Sequence, residues 1–141
     1  MAFMYYEGTK DFLAATPALI VTFRASGSIS AGRGVCFETN DNSTDVYQPG
    51  ASTESGSLAV AGVALKTVSD NDEIPVLIWG YAKALPKHAN DATAMNPGTC
   101  LVITGAGYWC ASGSDFGVAE VAGKVVSGST THIVAFINCI K

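Results

Sequence analysis

The chain has 141 residues, 48% of them apolar and only 14% charged, with a formal net charge of −4. That length suits one domain with its own core, and the negative balance, with eight scattered Lys and Arg, excludes a general electrostatic grip on nucleic acid. No uninterrupted apolar stretch reaches the length of a membrane-spanning helix, since even Ala18–Phe23 stops at Arg24.

Residues 1–17 carry Phe3, Tyr5, Tyr6, Phe12 and Leu13 with neither period-2 nor helical spacing, and Pro17 closes the segment. This is an extended aromatic arm that cannot bury itself locally, so it must dock on its own subunit, a neighbour or another protein. Its first residues lack the basic region and apolar core of a signal peptide, which predicts synthesis in a cytoplasm.

From residue 18 to 141 the chain reads as a single, mainly β domain. Strands are predicted at 18–25, 34–39, 58–67, 74–83, 99–104, 107–111, 121–127 and 131–140, separated by Gly, Asn, Asp and Ser turns. The stretch 39–57, which contains Tyr47, is dense in polar turn residues and reads as one long loop, a length typical of binding elements. Residues 83–97, bracketed by Pro86 and Pro97, form a connector with room for one helical turn around His88–Met95.

Residues 28–78 are echoed by 94–137. The run from Ile29 to Phe37, with its turn glycine Gly32, returns from Met95 to Ile103 with Gly98. Val60-Ala61-Gly62 is answered by Val121-Ala122-Gly123, and Ile74–Ile78 by Ile133–Ile137. The expected architecture is therefore a compact barrel-like domain built from two related β-units. Several strands are apolar on both parities: Leu77, Ile78, Trp79 and Tyr81 in one, Ile133, Val134, Phe136 and Ile137 in another. Such strands must be covered on both faces. Either something else packs outside the barrel-like core or a partner subunit does so. The sparse charge, against roughly a quarter in ordinary domains, adds to the case for a homo-oligomer or another protein partner.

Reactive centres are hard to assemble from this sequence. Asp115-Phe116-Gly117 spells the kinase metal tripeptide without the remaining kinase motifs. Gly105-Ala106-Gly107 lacks the third glycine of a dinucleotide fingerprint and reads as a hairpin turn. No Ser sits in a nucleophile elbow, and His88 and His132 have no sequence partner. The acidic clusters at 40–45 and 70–73 lack the spaced calcium-loop pattern. Cys36, Cys100, Cys110 and Cys139 have no zinc spacing and read as small buried hydrophobes, with a Cys100–Cys110 cross-hairpin bridge as the sharper alternative. The expectation is no catalysis, no cofactor and no resident metal. Trp79, Tyr81, Tyr108 and Trp109 are aromatic enough for a sugar-stacking platform, but core and interface packing is the simpler reading.

The glycine-governed run Gly27–Val35, then Val60–Leu65 before an acidic turn, Val76–Ala82, Met95–Thr99, Thr104–Tyr108 and Val121–Val125 follow in a characteristic order. In these segments the chain resembles the capsid decoration proteins, also called cement or head-stabilising proteins, of tailed bacteriophages with a β-tulip or small β-barrel fold. The resemblance implies a virion protein on the capsid exterior that binds the phage major capsid protein, commonly as a trimer and alternatively as a dimer. It implies no catalytic residue and no contact with nucleic acid or membrane. Candidate contact residues are Phe3, Tyr5, Tyr6 and Phe12 in the arm, Tyr47 in the long loop, and Trp79 and Tyr81 on one two-faced strand, with Phe136 on the other. Rival expectations are a tail- or fibre-associated module and a carbohydrate-binding module on the particle surface.

Overall fold

A computed structural model describes residues 18–38, 44–51, 59–88, 95–112, 117–122 and 132–139. The arm with Phe3, Tyr5, Tyr6 and Phe12 lies outside the described residues. So do 39–43 and 52–58 of the long loop, 89–94 of the connector, Asp115 and Phe116.

Among the described residues there are nine strands: β1 (Leu19–Arg24), β2 (Gly34–Phe37), β3 (Val46–Tyr47), β4 (Val60–Ala64), β5 (Glu73–Pro86), β6 (Cys100–Ile103), β7 (Trp109–Ala111), β8 (Ala119–Val121) and β9 (His132–Asn138). They form one curled antiparallel sheet in the order β3-β2-β4-β5-β9-β8-β6-β7, with β1 also paired to β5. The mainly β, barrel-like expectation is met. Boundaries differ at several strands, and three of the differences have a visible cause. β3 lies inside the stretch predicted as loop, because Val46 is drawn into the core at 0% exposure. β5 runs on to Pro86, into the predicted connector, because β9 pairs with it as far as Pro86 opposite His132. β8 begins at Ala119, two residues before the predicted 121–127 strand, since Ala119 and Val121 are the positions that face inward; residues 123–127 lie outside the described residues.

β5 explains the doubling. Its first half pairs with β1, from Arg24 opposite Glu73 to Leu19 opposite Trp79. Its second half pairs with β9, from Trp79 opposite Asn138 onward. One strand thus closes a first five-stranded unit (β1, β2, β3, β4, β5) and opens a second (β5, β6, β7, β8, β9). Hydrogen bonds match across the two. Gly32 N–H donates to Ala64 O at 2.7 Å and Gly98 N–H to Val121 O at 2.8 Å, while Ser26 N–H donates to Val46 O at 2.8 Å and His88 N–H to Trp109 O at 2.9 Å. Gly32 (φ 82°) and Gly98 (φ 93°) both occupy the left-handed region, where a Cβ is strained. Each unit curls until its ends meet at a single parallel bridge, Ala25 with Val46 and Lys87 with Trp109.

The repeat is therefore larger than its sequence echo. The Ile29 and Met95 runs are in register, as are Ile74–Ile78 and Ile133–Ile137. The echo of Val60-Ala61-Gly62 in Val121-Ala122-Gly123 is not, because Val121 occupies the position of Ala64. Such short, small-residue strands carry too little side-chain information to fix their own register.

Two buried clusters result. One fills the first unit with Ile29, Val35, Val46, Ala64, Ile74 and Val76. The other fills the second unit with Leu101, Ile103, Trp109, Val121, Ile133 and Ala135, and it also takes in Cys36, Val63 and Leu77 from the outer face of the first unit. The second unit thus sits on the back of the first. Of the two covers expected for two-faced strands, the chain itself supplies one here: β4 and the first half of β5 are covered on both faces within the chain. Leu77, at 2% exposed, gains about 1.5–3 kcal/mol from this stacking alone. β9 alternates cleanly, with Ile133, Ala135 and Ile137 inward and Val134 and Phe136 half-buried on the outer side.

Candidate interaction surface

The second unit's outer face carries the most organised aromatic group among the described residues. Tyr81 pairs with Phe136 across β5 and β9, which sets both side chains on the same face, and Trp79 follows two residues before Tyr81. The Phe136 ring meets Trp79 edge-on at 5.2 Å and 86°, and Tyr81 at 5.1 Å and 72°. All three are half-buried. Beside them is a shallow groove of about 220 Å³ lined by Tyr81, Phe136, Glu120, Val121 and Ala122.

A second apolar patch lies on the first unit. Phe37 is 36% exposed, and Phe23 packs edge-on against it at 5.5 Å and 80°; Leu19, 42% exposed, lies at the other end of β1 opposite Trp79. Arg24, next to Phe23, reaches Asp45 Oδ2 through Nη2 at 2.6 Å and Nε at 3.0 Å. Phe23 and Phe37 sit at strand ends beside polar turns, and that position carries no sequence signal of exposure. They are the surface residues that sequence reasoning missed.

The remaining predicted contact residues divide. Trp79 and Tyr81 share the outer ridge. Tyr47 does not reach it: it lies opposite Cys36 on β3 and packs half-buried against the main core. Burial, then the nearby Cys36 and Glu38, raises its phenol above the ordinary range and keeps it neutral. The sugar platform of four aromatic residues is not assembled. Trp109 is 0% exposed with its indole N–H donated to Gly32 O at 3.1 Å. Tyr108 is covered by the Arg33 guanidinium at 3.5 Å, which also donates to Ala106 O at 3.0 Å. These residues form the seam between the units, where the Gly105–Gly107 turn docks on the first unit.

None of the four cysteines forms a disulfide. Register places Cys110 opposite Val102, and Ser112 N–H donates to Cys100 O, so the two thiols are offset along the hairpin rather than bridged. Among the described residues no three His, Cys, Asp or Glu side chains converge as metal ligands, and no helix is long and apolar enough to cross a membrane.

No protein-family model matches the chain, and no curated protein matches it. Among solved structures, it is similar to the head fibre gp8.5 N base of bacteriophage phi29. The TM-score is 0.52 at 14% identity, over 87% of this chain and 96% of that one. At that identity the likeness is one of fold.

Proposed function

We propose that this chain is a structural protein of a phage virion that docks on the outer surface of the head, binds the major capsid protein and stabilises contacts between its subunits. The observation that carries the reading is the fold shared with a phage head-fibre base along nearly the whole of both chains. The open aromatic ridge of Trp79, Tyr81 and Phe136 supports it, since such rings supply contact area at low entropic cost. A homo-oligomer, with a trimer at a three-fold position, would add its contacts through effective concentration. Preferential binding to the expanded shell would shift the capsid toward that state.

One observation favours a second reading: a solved structure of similar fold is a fibre base, so the chain would anchor a projecting appendage rather than clamp the shell. Adding purified protein to mature heads and imaging them by electron cryomicroscopy tests both. Density spread over the shell, with a rise in the temperature at which heads release DNA, is expected for a clamp. Density on the shell without that rise points to a fibre base. Density confined to the tail, or no binding, overturns both.

A further inference from the structure

Among the described residues the chain contains an interface of its own that one of its two units leaves unused. The second unit covers the outer face of the first, burying Cys36, Val63 and Leu77 with Ile20 packed alongside. Strand pairing gives the equivalents on the second unit. Leu77 pairs with Ile20 as Phe136 pairs with Tyr81, and Val63 pairs with Leu77 as Glu120 pairs with Phe136. The face that is sealed in the first unit therefore corresponds, in the second, to the half-buried Tyr81 and Phe136, the exposed Glu120 and the groove beside them.

The complementary half is open too. The second unit seats on the first through Ile103, which fills the space a Cβ on Gly34 would need. Phe37 pairs with Val46 as Ile103 pairs with Trp109, so Phe37 is the first unit's counterpart of Ile103. Ile103 is 1% exposed while Phe37 is 36% exposed.

We infer that copies of this chain associate head to tail. The Phe23–Phe37 patch of one copy seats on the Tyr81–Phe136–Glu120 face of the next, continuing the stacking already present within each chain. The occupant is a second copy because the chain itself supplies the template for both surfaces. The match is not identical. Cys100 stands where Gly34 does, so the incoming phenylalanines meet the ridge and groove rather than the strand backbone. A contact of this kind is heterologous: it closes into a ring if the rotation permits and otherwise grows into a filament. Closure after three copies gives a trimer. The inference deepens the homo-oligomer of the proposed function by naming its two surfaces, and its test, on free protein, fails or succeeds independently of capsid binding.

Native mass measurement and sedimentation of the free protein up to about 1 mM provide that test. Wild type is expected to associate. Phe37→Asp removes one half of the contact and Glu120→Arg obstructs the other, and both residues are exposed enough for folding, checked by circular dichroism, to survive. Each variant alone is expected to associate at least about tenfold more weakly. An equimolar mixture should form a heterodimer, since each variant retains the half the other lacks. A wild type that stays monomeric, single variants that associate as wild type does, or a mixture that stays monomeric would each overturn the inference.

Discussion

Gly34 lies where Ile103 of the second unit presses on the first, and alanine at this position tests their stacking directly. A Cβ there would overlap Ile103 Cγ2 and stand 3.1 Å from Ile103 Cβ and Cδ1. Ile103 is 1% exposed and β-branched, so it cannot swing aside. Overpacking of this kind costs about 1–3 kcal/mol, offset by roughly 0.5 kcal/mol because alanine loses less backbone entropy than glycine in a strand. The net expectation for Gly34→Ala is a loss of about 0.5–2.5 kcal/mol, at about 4 °C of melting temperature per kcal/mol for a chain of this size. Ile103→Ala alone costs about 2–5 kcal/mol by leaving a void. In the double variant the new methyl enters that void, so the combined loss should fall short of the sum by about 1–2 kcal/mol. Urea unfolding at unchanged m measures all three. Losses that add to within about 0.3 kcal/mol would refute the packing of the second unit on Gly34.

Three further outcomes follow from the same geometry. Burial, reinforced by the neighbouring Cys139, pushes the Cys36 thiol from 9.0 up to about 12. The folded chain then keeps a proton that the unfolded chain releases. This thiol's contribution is intact below about pH 9 and is lost as pH rises towards 12. Cys36→Ala should lessen the drop in the urea midpoint between about pH 8 and about pH 10.5, and a difference from wild type that ignores pH would contradict the assignment. Trp109→Phe removes a buried indole donor from Gly32 O and should cost about 1–3 kcal/mol, whereas Trp79→Phe should cost less than about 1 kcal/mol. Equal losses in thermal unfolding would argue against the seam. Deleting residues 1–15 should leave the β-domain's melting transition in place and weaken binding to purified heads; unchanged occupancy would refute the arm's role.

The strand count, the turns and the doubling were largely legible because each has a local cause. Gly32 and Gly98 mark the same left-handed turn, and Ile29 and Met95 plug the same place in each unit. The shared use of β5 was not legible, because a strand's pairing partners leave no mark on its own pattern. β3 escaped notice for the same reason: two residues inside a polar loop become a strand only when Cys36 and Phe37 are there to pair with them. Of the candidate surface, Trp79, Tyr81 and Phe136 could be named in advance. Their separation from Tyr108 and Trp109 could not, nor could the opening of Phe23 and Phe37 to the surface.

By itself the sequence determined that the chain alternates short apolar strands with glycine and Asn/Asp turns, and that it does so twice. These are properties of single residues and their nearest neighbours, where backbone sterics and period-2 side-chain placement decide. The tertiary structure decided which face is covered, and by what. Leu77 and Phe136 hold matching positions in matching strands, yet one is sealed and the other lies half-open. Burial depends on what arrives from elsewhere in the chain, and among the described residues it is the first unit that has another stacked on its back.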